Sequence, residues 1–160
     1  VVLSMVPPGG QPRRRTRLTS NVGPHKERVL TSKLLFSRLV ADADGSSHFE
    51  PVDIPVTLQD FAPPAQPFSV SALAPASQCG FLHLPAGWVG EMHPSPIRMW
   101  IFVLAGEMLF EAANGQQRHI VPGHALLLED TAGRGHVSRV LGNLPATLAA
   151  VRLPQSESAA

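Results

Sequence analysis

The chain has 160 residues, 44% of them apolar and 16% charged. That is one domain's worth of sequence, with enough apolar surface for one core, which excludes a wholly disordered chain. No apolar run approaches the ~20 residues of a membrane-spanning helix, and the single cysteine, Cys79, excludes an internal disulfide framework and any multi-cysteine zinc site. The net charge of +1 conceals an asymmetry. Residues 1–33 hold seven basic residues against one acidic, a net +6, and residues 34–160 hold six against eleven, a net −5. The head lacks apolar periodicity and carries Pro7, Pro8, Gly9, Gly10, Pro12 and Pro24, so it is expected to be a disordered basic extension. Its arginines at 13, 14, 15 and 17 have no interleaved aromatics, so a solvated tail is the stronger reading and nucleic-acid binding the weaker. No apolar stretch follows them as a secretory signal would require, and cytoplasmic residence is the expectation.

The body, 34–154, reads as strands in chain order. Residues 52–58 and 68–73 are short β-type runs separated by a Pro-rich break at 62–65. A run over 79–84 follows, then a dense set of β-formers over 97–105. Gly106 turns the chain into 107–112, where Met108 and Phe110 alternate with Glu107, Leu109 and Glu111. Asn114-Gly115 signals a hairpin, because both residue types tolerate positive φ. Residues 116–121 return, Pro122-Gly123 turns, and 125–129 form the next strand. A Gly-containing loop over 130–135 leads to a strand at 136–140, and a last one spans 147–153, before a flexible tail at 155–160. Eight or more short strands with frequent turn signals and no convincing helix predict an antiparallel sandwich or barrel. The common catalytic motifs are absent, so any chemistry must come from side chains converging inside it.

Gly87-Trp88-Val89-Gly90-Glu91-Met92-His93, followed by Val103-Leu104-Ala105-Gly106-Glu107, resembles the first motif of the cupins, G-x5-H-x-H-x(3,4)-E-x6-G. Pro122-Gly123, Leu126-Leu127-Leu128 and His136 resemble the second. The passage from Leu127 to His136 is similar to an L-L-E-D-T-T-G-K-G-H passage in a group of small bacterial-type cupins. The segment from Asp42 to Glu50 is similar to the start of that group. The resemblance covers about 36–153. It implies an antiparallel double-stranded β-helix, the jelly-roll or cupin barrel, and a homodimer.

The chain departs from the pattern where the family holds metal. The cupin site takes two His and a Glu from the first motif and a His from the second. Here His93 and His136 are kept, but Ser95 stands at the second His position and Met99 at the Glu position. Two imidazoles, a neutral hydroxyl and a soft thioether suit Fe(II), Mn(II) or Zn(II) poorly. No cofactor is implied with certainty, only a weakly held divalent transition metal on His93 and His136, with His83 and Glu91 as substitute ligands. His93 and His136 are also the candidate catalytic pair, since imidazole serves both proton transfer and metal ligation near neutral pH. Ser95, Met99, Trp88, Trp100, Glu129 and Asp130 are candidate pocket residues, Glu129 and Asp130 as partners that orient His136. Cys79 is expected to be a small buried hydrophobe.

Two classes of function stay open. One is an enzyme acting on a small organic molecule as oxidoreductase, isomerase or lyase, because the fold does not choose among these. The other is a non-catalytic binding or sensing protein whose metal site has degenerated.

Overall fold

The computed structural model describes residues 32–155. The expected disordered extension falls, but for Ser32 and Lys33, outside the described residues, as does most of the C-terminal tail. The described residues are all-β, with ten strands: β1 Ser32–Ala41, β2 Ser47–Gln59, β3 Phe68–Ser71, β4 Gln78–Leu84, β5 Met99–Ala105, β6 Glu107–Ala112, β7 Gln117–Ile120, β8 Ala125–Glu129, β9 His136–Leu141 and β10 Ala146–Arg152. Among them no helix is long and apolar enough to cross a membrane.

The strands make a seven-stranded sheet, ordered β3-β2-β1-β8-β5-β10-β4, and a three-stranded sheet, ordered β7-β6-β9. Neither closes into a barrel, which corrects that part of the expectation. Pairing is antiparallel except where β1 runs parallel to β8, Leu39 opposite Leu128. A parallel neighbour needs a long crossover, and most of the body lies between these two strands.

β1 is the element the sequence reading lacked. It begins at Ser32, so Ser32 and Lys33, placed in the disordered head, pair with Val56 and Pro55 of β2.

The core lies between the two sheets. The large sheet contributes Leu39, Phe49, Ile101, Val103, Leu126, Leu128 and Leu148, and the small one Met108, Phe110, Ala112, Ile120 and Val140. Alternation sets which side chains enter it. In β6, Met108, Phe110 and Ala112 are buried while Glu107 is exposed, the phase read from the sequence. β8 is buried at four consecutive residues, Ala125 to Leu128, as befits a central strand covered on both faces. Gly106, at φ +73°, makes the turn that carries the chain from one sheet to the other. A Cβ there would collide with the Pro145 carbonyl and Ala146.

The outer face of the large sheet is less covered. Leu34, Phe81, Phe102 and Leu104 expose 49, 74, 37 and 51% of their surface. Cys79 is exposed there too, so it is not the buried hydrophobe expected. β4 is an edge strand, and its alternation turns Leu82 and Leu84 to the cavity and Cys79 outward.

Candidate functional site

A cavity of about 230 Å³ opens between the sheets. Its wall is apolar: Leu82 and Leu84 of β4, Met99 and Ile101 of β5, Met108 and Phe110 of β6, Leu128 and Leu148, with Trp88 and Pro96. Its polar groups are His93, Ser95, His136 and Ser138. Among the described residues no Lys, Arg, Asp or Glu lines it.

Backbone pairing brings the two histidines together. Residues 88–93 run along the free edge of β9. Trp88 accepts from the Val140 amide at 2.9 Å, and the Gly90 amide donates to Ser138 at 2.8 Å. His93 and His136 exchange both backbone hydrogen bonds, at 3.0 and 2.9 Å. Residues directly opposite in such a ladder project to the same side, and the two imidazole centroids lie 5.1 Å apart. Gly135, at φ +76°, permits this. A Cβ at that position would overlap the His93 carbonyl and the Pro94 nitrogen, so only glycine lets the two backbones meet. The Gly135 carbonyl is pinned in turn by the hydroxyl of fully buried Ser47, at 2.6 Å.

Asp130, fully buried at the end of β8, organises the floor. One carboxylate oxygen accepts from Ser95 Oγ at 2.7 Å, the other from His136 Nδ1 at 2.7 Å. The Asp130 carbonyl also accepts the Ser95 amide at 3.0 Å. Ser95 and His136 are 2 and 3% exposed. The order is serine–aspartate–histidine, with the carboxylate in the middle. Ser95 donates its hydrogen bond to Asp130 and not to an imidazole, so it is not arranged as an activated nucleophile. What the arrangement provides is a fixed His136 ring: Nδ1 carries the proton and Nε2 the lone pair. His93, at the rim, is held in the same tautomer, its Nδ1 donating to the Glu91 carbonyl at 2.7 Å. Neither Nε2 has a hydrogen-bond partner among the described residues. Among the described residues no buried side-chain polar atom lacks one, so His136 Nε2 opens onto the cavity it lines.

Of the residues singled out from sequence, His93, Ser95, Met99, His136 and Trp88 line this cavity, and Asp130 supports it from behind. Four others are not there. Trp100 lies on the outer face of the large sheet, edge-on to Phe36 at 5.6 Å, because it is one residue out of phase with Met99 and Ile101. Glu129 precedes Asp130 and faces outward for the same reason, pairing with Arg98 at 2.7 Å and Arg38 at 3.5 Å. His83 bonds Thr147 at 3.2 Å on the outer surface, while its neighbours Leu82 and Leu84 take the cavity side. Glu91 is exposed, and its carbonyl, not its carboxylate, meets His93.

The four-ligand metal set implied by the resemblance does not fit. Ser95 is committed to Asp130, Met99 offers a thioether, and His83 and Glu91 are turned away. Among the described residues no three His, Cys, Asp or Glu side chains are grouped to hold an ion. Two imidazoles remain.

Sequence reasoning missed Ser138 and the apolar wall. Ser138 shares the phase of His136 on β9, so alternation could have found it. Leu82, Met108 and Leu148 carry no mark that separates a cavity wall from a core. No protein-family model matches the chain, and no curated protein matches it in sequence.

Proposed function

We propose that this is a small-ligand-binding protein of the jelly-roll, cupin-like type, with the cavity between the sheets as its binding site. One observation carries the reading: an apolar cavity of about 230 Å³ has a single polar pole, where a buried carboxylate locks the His136 ring beside His93. A concave apolar site with a few converging polar groups is the usual form of a small-molecule site. At ~30 Å³ per water, the space suits a ligand about as large as eight waters. Support for the jelly roll comes from the two facing sheets, the cupin-like spacing of His93 and Gly106, and the placing of His136 opposite His93. Any metal would be held by two imidazoles alone, and therefore weakly.

Thermal-shift screening of small uncharged organic molecules tests this, with Leu82→Trp as control. Leu82 is 43% exposed at the rim, so a larger side chain can occupy the mouth without unpacking the core. Stabilisation of the wild type that Leu82→Trp abolishes is the expected result. Equal stabilisation of both proteins would remove the cavity from the account.

A second reading is catalytic: His136 Nε2 would take a proton from a bound substrate while Asp130 holds the ring. The buried Asp130–His136 pair favours it. Turnover of a bound compound that His136→Gln abolishes, with binding retained, would establish it.

We also infer that the outer face of the large sheet pairs with a second copy. Its arginines, Arg38 and Arg98, are already paired with Glu50 and Glu129. Beside these ion pairs the described surface is largely apolar, and a like surface on a second copy complements it.

A further inference from the structure

We propose that the polar pole of the cavity is an acceptor pole, and that the ligand it selects is an uncharged, compact apolar molecule bearing a hydroxyl, of the phenol or alcohol class. This rests on the binding-site reading above and adds the ligand's chemistry. The argument is an account of donors and lone pairs. His136 Nδ1 lies 2.7 Å from a carboxylate oxygen and His93 Nδ1 lies 2.7 Å from a carbonyl oxygen. A carbonyl can only accept, and the Asp130 carboxylate accepts here from both its neighbours, so each Nδ1 is the donor. A neutral imidazole has one N–H. Each Nε2 is therefore a lone pair, and neither is used by another described residue.

The Ser95 hydroxyl on the floor already donates its hydrogen bond to Asp130. Among the described lining side chains, Ser138 can donate and can equally accept, and Trp88 can donate through its indole N–H. A ligand carbonyl or ether would leave both imidazole lone pairs unmatched. Among the described residues an anion would meet no cation, since none of their Lys or Arg side chains lines the cavity, and it would approach the buried Asp130 carboxylate. A hydroxyl supplies the missing proton. It can donate to Nε2 of one histidine and accept from Ser138, while the rest of the molecule lies against Leu82, Met108, Phe110 and Leu148. The imidazole centroids lie 5.1 Å apart, so the two rings form one small polar patch.

The test is direct binding of four probes of similar size, toluene, phenol, benzaldehyde and benzoate, to the intact protein by isothermal calorimetry. It is run at pH 8. Phenol is expected to bind about five- to tenfold more tightly than toluene, the effect of one net hydrogen bond, with benzaldehyde no better than toluene and benzoate the weakest. The variant His93→Phe changes an exposed rim residue and should fold. It is expected to reduce the phenol-to-toluene ratio, and Ser138→Ala to reduce it less. Toluene binding as tightly as phenol, or benzaldehyde or benzoate binding best, would overturn the acceptor pole and leave the binding site standing. Failure of all four to bind would overturn both.

Discussion

A single carboxylate decides how the floor of the cavity is built. Asp130 is removed from water, and it is tolerable there because both oxygens accept hydrogen bonds, from Ser95 and from His136. Replacing it with Asn keeps the volume but puts an amide where two donors converge. Asp130→Asn should cost about 1–3 kcal/mol in chemical denaturation, the scale of leaving a buried hydrogen-bonding group unsatisfied, and should scramble the His136 tautomer in ¹⁵N spectra. An unchanged tautomer would show that the ring is held by something else. Gly135→Ala should cost more than ~1 kcal/mol, since positive φ and the approach of His93 both exclude a Cβ. The same residues bear on metal. Wild-type protein should hold Zn(II) only weakly, and Met99→Glu should tighten it at least tenfold by adding a carboxylate to two imidazoles. Ser95→His should not help, because Ser95 is sealed against Asp130 with no room for a ring. Stoichiometric Zn(II) in the wild type, lost in His136→Ala, would contradict this.

At the scale of elements, what was legible in the sequence was periodicity, and what was not was pairing. The phase of β6 follows from Met108 and Phe110, and the turns at Gly106 and Gly115 follow from glycine. The hairpin after β6 is made differently from the reading of Asn114-Gly115. Only Gly115 takes positive φ, and Asn114 instead accepts the Gln116 amide at 2.9 Å through its side chain. β1 was hidden because Leu34, Leu35 and Phe36 form an apolar run without alternation, next to a basic head. β2 follows it through a short hairpin turn, but its other neighbour, β8, is distant in sequence. The site depends on such long-range pairing. His93 and His136 could be named from their motifs, but their meeting requires residues 88–93 to add to β9, which no local signal announces. Phase errors explain Glu129 and Trp100, since a one-residue step moves a side chain to the opposite face.

The β1–β2 pair also carries a pH-sensitive group. His48 bonds Glu50 and Asp42, each at 3.0 Å. The Glu50 carboxylate first, and Asp42 second, hold the imidazole above its ordinary value of 6.5. His48 first, and Arg38 second, hold Glu50 below its ordinary 4.5. The raised histidine stabilises the fold fully below about 6.5, and that contribution is lost as pH rises through its folded value. The lowered glutamate contributes above about 4.5, and that is lost as pH falls through its own folded value. Both act together between those limits. Melting temperature against pH should therefore fall less across neutrality in His48→Gln than in the wild type. Parallel curves would contradict it.

For the whole molecule, one sheet does two jobs. The inner face of the seven-stranded sheet supplies half the core and most of the cavity wall, and its outer face leaves Phe81, Phe102 and Leu104 exposed. Light scattering should give a dimer mass, and Phe102→Glu should shift it toward the monomer. A monomer at working concentration in the wild type would remove the pairing. The most direct test of the central claim, that the space between the sheets is the binding site, is methyl and imidazole NMR of the protein titrated with phenol. Shifts confined to Leu82, Leu84, Met99, Met108, Leu148 and the His136 ring are predicted. Shifts centred on Trp100 and Phe102 of the outer face, or no shifts at all, would contradict it.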